Sequence, residues 1–506
     1  MELEFDRDVM EGYQVIADDT ICQEETMEAI VPDACPDILH ITAVCGQAFL
    51  NQRQAREGLA WASGAVRAVV LYRPEEGGGL RRMEVALPFS AQMEAPGLTE
   101  EGAVHARVRI RSADARALNP RKVLVRAEVA VELTAFQPWR QEVCQSVREP
   151  EEHGVQQLCR QEETYHLCAV EEKPFHFGDQ IRCGGEEGAQ LVCCRVVPVC
   201  RESKRIGSRL IFKGTAEIQL LTQQPGGALA AFHESRDFSQ VMELPALGEG
   251  GDCHVSVEVA QLCCQPGGED GRTWEVDMDL VAQAQVWCRR PLTLLQDLYS
   301  TGYDTQVERE EQRLGRLVEA PVRSLGVREL LETGATPRTV LDSWVTLGQL
   351  SRRREGEQLV LEGEAGVTVL CLDDGEEIQA VQRTIPINCR VDAPQGARCF
   401  CRLAPPAEVY AAPTAGGVEA RFTAEVECLI LQEQGTSWVR SAALGETRSK
   451  GEGEQPSVVL RLAAPGEGLW ELAKAYGTTT QQILQANELE EEELPSGRML
   501  LIPSAR

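Results

Sequence analysis

The chain of 506 residues contains a diverged internal repeat, which constrains the possible folds more than any other feature. Gly64, Gly214 and Gly363 lie 150 and 149 residues apart, and each stands inside an apolar segment with the pattern of a strand. A glycine in a strand costs stability unless a bulge or a close backbone approach requires it. Its recurrence at one place in three copies indicates a β fold that is repeated three times.

The segments after each glycine have the pattern of a hairpin and then of a long strand. Turns rich in glycine, proline and aspartate follow the glycines, and second strands end near Phe89, Phe238 and Ile387. Each copy closes on a long alternating strand: Val123–Val131, Val276–Val286 and Val418–Leu429. Alternation places every second side chain on one face, which produces a sheet with one dry side. We therefore predict a mainly β protein with three tandem β-rich domains.

The domain map follows from these repeats and from the composition between them. An acidic segment (1–30) precedes repeats at 31–140, 165–290 and 321–434, with a connector at 291–320, a linker at 435–456 and a terminal module at 457–506. In the connector, the charged segment 306–318 is predicted to be helical. The linker is polar and rich in glycine, serine and glutamate, so we expect a flexible tether.

The charge balance excludes two classes of partner. The chain has 50 lysines and arginines against 79 aspartates and glutamates, a formal net charge of −29. So acidic a protein is not expected to bind nucleic acid or an anionic membrane by electrostatics. The segment Met1–Asp6 has neither the basic nor the apolar part of a signal peptide, and no run is apolar enough to span a bilayer. We expect a cytosolic protein without a transmembrane segment.

The nineteen cysteines are interpreted as small core residues. Their number is odd, two pairs are adjacent in sequence, and no disulfide framework is apparent. Cys399 and Cys401 would point to one face of a strand, but the Cys-x-x-Cys pairs of structural zinc sites are absent. We therefore predict no metal site.

The sequence also argues against catalysis. No histidine follows His254, so the three repeats cannot share a histidine-based acid–base site. A phosphate-binding loop of the Gly-x-x-x-x-Gly-Lys-Ser/Thr type is absent. The many carboxylates are expected on a solvated surface. We predict that the protein is not an enzyme, has no catalytic residues and needs no cofactor.

The stretch from Pro465 to Pro503 has the pattern of a small separate module. Leu469, Leu472 and Ala473 fall at helical spacing, Gly477 ends that helix, and a second helix is predicted over 481–485. A short apolar strand follows at 499–502. A strand, two helices and a strand in about fifty residues make a binding module too small for an enzyme core.

This module resembles the LysM domain. The resemblance is carried by its proline-glycine turn, its leucine-tryptophan pair, the Ala-x-x-Tyr-Gly stretch that ends at Gly477, the helix-ending Asn487 and the closing Ile502-Pro503. It implies a βααβ fold that binds N-acetylglucosamine polymers, such as peptidoglycan or chitin, between the first loop and the loop after the second helix.

The resemblance also assigns candidate binding residues. They are Gly466, Glu467, Gly468, Leu469, Gln485, Ala486, Asn487, Glu488 and Leu489. Gly466-Glu467-Gly468 replaces the usual Gly-Asp-Thr or Gly-Asp-Ser, so the hydroxyl that would contact sugar is absent, and the second loop carries Glu490–Glu493. These departures favour a protein ligand. Asn487 has an alternative interpretation as a helix-ending residue in a left-handed conformation with no ligand.

A second resemblance covers nearly the whole chain. The segment Val31–Ile38, the strand-centred glycines, the Leu-x-Asp-x-Tyr-Ser sequence at 295–300 and the LysM-like module together resemble the SPOCS-plus-LysM coat morphogenetic proteins of spore-forming clostridia. This resemblance implies a non-enzymatic adaptor in the mother-cell cytoplasm, at the forespore surface. Its LysM-like module would bind the morphogenetic ATPase that polymerises into the basement layer of the spore coat.

Two further hypotheses stay open. In one, the module binds peptidoglycan or another glucosamine polymer and the repeats are spacers or displayed domains. In the other, the repeats bind a small ligand, although the sequence identifies no residues for it.

Overall fold

The computed structural model describes most of the chain. The described residues are 1–76, 79–183, 186–245, 251–268, 272–348, 350–375, 377–404, 406, 408–448, 458–464, 467–489 and 499–503. Within them the protein is mostly β-strand, with two short helices near the C-terminus, as the sequence predicts.

The first repeat is built from two sheets that face each other. Its strands are β1 (Phe5–Ile30), β2 (Ile38–Arg56), β3 (Leu59–Pro74), β4 (Arg81–Glu94), β5 (Ala103–Asn119) and β6 (Lys122–Val147). One sheet has the order β2-β3-β4, and in the other β6 lies between β1 and β5. Every second side chain of β4 from Met83 to Met93 is buried, so the alternation in sequence becomes the dry face of the sheet.

The second repeat copies this arrangement. Its strands are β7 (Val155–Arg182), β8 (Gln190–Ile206), β9 (Arg209–Gln223), β10 (Leu229–Glu243), β11 (Asp252–Pro266) and β12 (Thr273–Ser300), after a short 3-10 turn at Pro150–His153. Again the middle three strands form one sheet, and β12 lies between β7 and β11 in the other. Tyr13 of β1 pairs with Leu167 of β7, which joins the outer sheets of the first two repeats.

The third repeat follows the same plan with three of its six strands divided. Its strands are β13 (Tyr303–Glu319), β14 (Val322–Leu331), β15 (Pro337–Leu347), β16 (Ser351–Glu355), β17 (Gln358–Asp373), β18 (Ile378–Asp392), β19 (Arg398–Ala404), β20 (Val409–Thr414) and β21 (Gly417–Thr447). β17 pairs with β15, β16 and β18, and β21 pairs with β13, β14, β19 and β20.

The repeated glycines occupy equivalent positions in these sheets. Each lies in the middle strand, opposite a large apolar residue of the next strand: Gly64 faces Phe89, Gly214 faces Phe238 and Gly363 faces Ile387. A Cβ on Gly64 would lie 2.0 Å from the carbonyl oxygen of Phe49, and one on Gly214 would lie 2.2 Å from that of Val199. The close backbone approach expected from the sequence is therefore present.

The repeats surround a common centre. Each has its own core between its two sheets, and further apolar clusters draw side chains from all three. Cys45 and Leu71 of the first repeat meet Cys193 of the second and Leu370 of the third in one such cluster. Three more clusters join the long outer strands of all three repeats. The three repeats thus pack into one body and are not separate domains joined by linkers.

Several boundaries differ from the sequence-based map. Residues 1–30, expected to form a separate acidic segment, contain β1, which pairs with β6 along almost its whole length. The helix predicted at 306–318 is wrong, because this segment is β13 and pairs with β21. The connector at 291–320 is the end of β12 followed by β13, and residues 435–447 of the expected tether continue β21. The remainder of that tether, residues 449–456, lies outside the described residues.

The terminal module consists of β22 (Val458–Leu462), α1 (Leu469–Tyr476), α2 (Thr480–Ala486) and β23 (Met499–Pro503), with β22 antiparallel to β23. This is the predicted βααβ arrangement. Neither helix of the described chain approaches the length and apolarity of a membrane-spanning helix.

Candidate functional site

The terminal module has a compact core of its own. Leu472, Ala473, Ile483, Leu500 and Ile502 are fully buried. Gly477 ends α1 with a left-handed φ of 62°, which glycine adopts without strain. Thr479 and Gln482 form a capping box at the start of α2, where each side chain bonds the other residue's backbone N–H. These contacts explain why the sequence pattern predicts both helices.

The module is docked on the end of β12. The indole Nε1 of Trp470 donates to Asp297 Oδ2 at 2.8 Å, and Lys474 Nζ lies 2.6 Å from the same oxygen. The hydroxyl of Tyr299 donates to the carbonyl oxygen of Thr478 at 2.7 Å, and its ring meets Trp470 edge to face. The Leu-x-Asp-x-Tyr-Ser sequence at 295–300 therefore supplies the docking surface.

Asp297 is the electrostatic centre of this contact. Its side chain is only 14% exposed, and it also accepts a hydrogen bond from Arg309 at 2.8 Å. Burial raises the pKa of this carboxyl, but hydrogen bonds from Lys474 and Trp470 outweigh burial and lower the pKa below its ordinary value of 3.8. The docked module therefore contacts Asp297 in its ionised form.

The first candidate loop uses its polar side chain internally. Glu467 forms an ion pair with Arg461 and accepts a hydrogen bond from the backbone N–H of Ala464 at 3.1 Å. Gly468 offers no side chain, and Leu469 is only 3% exposed in the module core. Leu469, a sequence candidate for binding, is therefore not a surface contact. Gly466 lies outside the described residues.

The second candidate loop is held by Asn487. Its Nδ2 donates to the carbonyl oxygens of Ile483 and Leu501, and its Oδ1 accepts from the N–H of Leu501 at 2.7 Å. The φ of Asn487 is −108°, so the left-handed conformation considered for it is wrong, and the next residue, Glu488, adopts it with a φ of 52°. Asn487 ties α2 to β23.

The remaining candidates are available at the surface. Gln485, Ala486 and Glu488 are exposed, and Leu489 is half-buried against the module core. The acidic residues Glu490–Glu493 lie outside the described chain. The candidates therefore divide into an internal group and a small exposed group at the end of α2.

The outer face of the β22–β23 sheet is apolar, which the sequence analysis missed. Its large side chains are between 39% and 65% exposed: Val458, Leu460, Leu462, Met499 and Leu501. Leu460 pairs with Leu501 and Leu462 with Met499, so the side chains adjoin each other across the ladder. We call these five residues the outer apolar face. Its signal in sequence is that β23 carries apolar residues at both alternating sets of positions.

The cysteines and histidines do not gather into a metal site in the described part of the chain. Within the described ranges, no group of three or more histidine, cysteine or acidic side chains is placed to hold a metal ion. The nineteen cysteines are free thiols, and nine of them are buried.

Comparison with known proteins identifies the module. Residues 464–503 match the LysM domain, which covers α1, α2, β23 and both candidate loops. No curated protein matches the chain. Residues 464–503 are therefore a LysM domain, and this assignment suggests binding of peptidoglycan or chitin-type glycans.

Proposed function

We propose that the protein is a non-enzymatic adaptor whose LysM module binds another protein, and that it acts in spore coat assembly. In this proposal the partner is the morphogenetic ATPase of the coat basement layer, and the site of action is the mother-cell cytoplasm at the forespore surface. The resemblance of the repeats to SPOCS domains supports the context. The outer apolar face supports the type of partner.

The outer apolar face carries the argument. Single exposed apolar residues are normal, but contiguous patches of roughly 300–600 Å² on monomers are often functional. Leu460 and Leu462 are 65% and 60% exposed, and Met499 is 60% exposed. Burying such a face against a protein contributes about 25 cal/mol of favourable free energy per Å² of apolar area. A hydrated glycan has little apolar surface that could be buried against it.

The loops give a second line of support. Glu467 and Asn487 bond within the module, and position 468 has no hydroxyl. Among the described loop residues, these two side chains are thus engaged within the module, whereas sugars are recognised through hydrogen bonds to their hydroxyls.

Glycan binding is the second candidate, because residues 464–503 match the LysM domain itself. The exposed Gln485 and Glu488 would then supply contacts to sugar from the end of α2. In that case the three repeats would hold the module at a distance from its attachment.

A binding comparison with the full-length chain tests the proposal. We expect purified coat ATPase to bind, and Leu460→Glu with Leu462→Glu to weaken its affinity at least tenfold without unfolding the module. The double change Gln485→Ala with Glu488→Ala should leave that affinity unaltered.

The control is Leu39→Glu, an equally exposed leucine of the first repeat. It should bind like the parent chain. Retention on insoluble peptidoglycan that is lost in the Gln485 and Glu488 variant, together with no binding to the ATPase, would replace the adaptor proposal by the glycan candidate.

A further inference from the structure

The three repeats enclose a cavity of about 330 Å³ at their common centre. We call it the central chamber. It is lined from all three repeats, and its lining includes Arg107, Glu132, His254, Trp287, Phe400 and Arg402. A second cavity of about 250 Å³ adjoins it and shares Arg107, Ser256, Arg402 and Glu427. The volume of the central chamber is in the range of small-molecule sites.

Equivalent positions of the repeats meet in this chamber. Arg107 is opposite Glu132 in the β5–β6 ladder, and Arg402 is opposite Glu427 in the β19–β21 ladder. The corresponding pair in the second repeat is Ser256 and Gln283. Serine is much smaller than arginine, and Gln283 turns to bond the backbone of Ala106 instead. The second repeat thus leaves space where the other two place an ion pair.

Three buried polar atoms of residues that line the chamber have no partner among the described residues. They are Nε2 of His105, Nε2 of His254 and Nε1 of Trp287. Trp287 is 4% exposed and His105 is 8% exposed. Leaving a buried donor or acceptor unpaired costs about 1–3 kcal/mol each, so such atoms mark a place that a polar guest completes.

The Trp287 donor is fixed in direction. Its ring stacks on Tyr165, with centroids 5.6 Å apart and planes 9° apart, and it also contacts Phe400. The indole N–H can only donate, so its partner must be an acceptor.

The weak pairing of Arg107 also favours an acceptor-rich guest. Among the described residues, Arg107 makes only a long ion pair, 3.7 Å from Glu132, and Arg109 holds that carboxylate more closely, at 3.1 Å. Burial and the nearby charge of Arg107 lower the pKa of Arg402. An anion between these guanidinium groups would relieve their repulsion and use their free N–H groups. Asp18 and Asp19 stand at the exposed side, where Asp18 pairs with Arg352 at 2.8 Å.

The remaining walls are apolar. Val15, Leu350, Phe400, Leu403 and Leu429 line the chamber beside the polar groups. We propose that the central chamber binds a small organic anion, a carboxylate that carries an apolar group. Its carboxylate accepts from Arg107 and from the indole N–H of Trp287, and its apolar part lies against these side chains. This site is independent of the LysM module.

Titration calorimetry with the full-length chain tests the site. The probes are benzoate and hexanoate, with benzamide as the neutral counterpart of benzoate. We expect one saturable site for at least one carboxylate, and at least tenfold weaker binding of benzamide. Arg107→Gln and Trp287→Phe should each weaken carboxylate binding at least fivefold.

Arg126→Gln is the matched control, because Arg126 lies on β6 with an exposed side chain paired with Glu24. It should bind like the parent chain. Circular dichroism and the unfolding midpoint establish that each variant is folded, and Arg107→Met replaces Arg107→Gln if the latter unfolds. Absence of saturable binding by both carboxylates, equal binding of benzamide, or unchanged binding by a folded Arg107 variant would each overturn the proposal.

Discussion

At the scale of single residues, the repeat glycines set how closely three strands approach each other. At Gly64 a Cβ would lie 2.0 Å from the carbonyl oxygen of Phe49 and 2.5 Å from the ring of Phe89. The backbone inside a paired sheet cannot shift at little cost, so no side chain fits at position 64. The ring of Phe89 covers this position instead. The sequence indicated that glycine was required but could not show which atoms required it.

We predict that Gly64→Ala destabilises the protein by about 2–4 kcal/mol, because the new methyl group overlaps the backbone of β2. Urea unfolding measures the change. The control is Gly326→Ala on β14, where a Cβ has no neighbour within 4 Å. That variant should lie within about 0.5 kcal/mol of the parent or be slightly stabilised. Equal stability of the two variants would contradict the steric explanation.

Glu258 is a second residue with a measurable consequence. Burial raises the pKa of this carboxyl to about 7, although Arg107 and Arg109 lower it. A carboxyl with a raised pKa in the folded state contributes stability at low pH, and that contribution is lost as the pH rises through about 7.

We therefore predict that Glu258→Gln is more stabilising, relative to the parent chain, at pH 8 than at pH 5. A difference on the order of 2 kcal/mol is expected, since one pKa unit corresponds to about 1.4 kcal/mol. Urea unfolding at the two pH values measures it. Glu94→Gln on the exposed side of β4 is the control and should show no such pH dependence. A stabilisation that does not change with pH would remove this explanation.

At the scale of elements, strands with a strict alternation were predictable and strands rich in charge were not. The alternation of Val123–Val131 identifies the first third of β6, where each second residue is buried. β13 has the same two-residue period, but its exposed positions other than Val318, and several of its partly buried ones, are charged or polar. Charged side chains at this density imitate a solvated helix, and only pairing with β21 shows that the segment is a strand.

The docking of the LysM module also could not be predicted from local sequence patterns. The motif at 295–300 was recognised, but its contact partner lies more than 170 residues further along the chain. The candidate residues 466–469 and 485–489 follow from the resemblance, whereas the hydrogen bonds between Asn487 and Leu501 depend on β23 packing beside α2.

We predict that Asp297→Asn releases the LysM module from the body. Asparagine keeps the size but loses the charge that Lys474 and Arg309 bind, and hydrogen bonds to charged groups contribute about 1.5–3 kcal/mol each. Amide hydrogen exchange in α1 should become faster. Asp179→Asn, which affects a 43% exposed carboxylate paired with Arg236 in the second repeat, should leave it unchanged.

The same contact should be sensitive to acid. The pKa of Asp297 is lowered in the folded state, so its contribution is complete at neutral pH and is lost as the pH falls below about 4. The exchange rate of α1 should rise over that range in the parent chain and change less in Asp297→Asn. Unchanged α1 exchange in the variant at neutral pH would mean that the contact does not hold the module.

At the scale of the whole molecule, the centre where the repeats meet is asymmetric. Cys45, Arg195 and Trp344 occupy equivalent positions of β2, β8 and β15, judged by their pairing with the middle strands. Arg195 lies with its guanidinium 3.9 Å from the centre of the Trp344 ring and donates to Asp342 at 2.6 Å. A single cation thus joins the second repeat to the third, where exact repetition would have placed three like groups together.

We predict that Asp342→Asn destabilises the whole body by about 3–5 kcal/mol, because it leaves the buried Arg195 without its counter-charge. The double change Arg195→Met with Asp342→Leu should recover most of this loss, since apolar side chains of similar volume replace a buried ion pair at little cost. Urea unfolding followed by circular dichroism measures both. The control is Glu243→Gln, which removes the surface ion pair with Arg209. The side chains of Arg209 and Glu243 are 67% and 71% exposed, so this change should cost less than about 1 kcal/mol.

The shape of the transition decides whether the repeats are one cooperative unit. Because Arg195 and Asp342 belong to different repeats, loss of their pair should shift the unfolding of the second and third repeats together. If Asp342→Asn instead produced a separate early transition with the second repeat unaffected, the common centre would not couple the repeats energetically. Hydrogen exchange in β9 and β17, the middle strands of the two repeats, distinguishes these outcomes, since coupled strands lose protection at the same urea concentration.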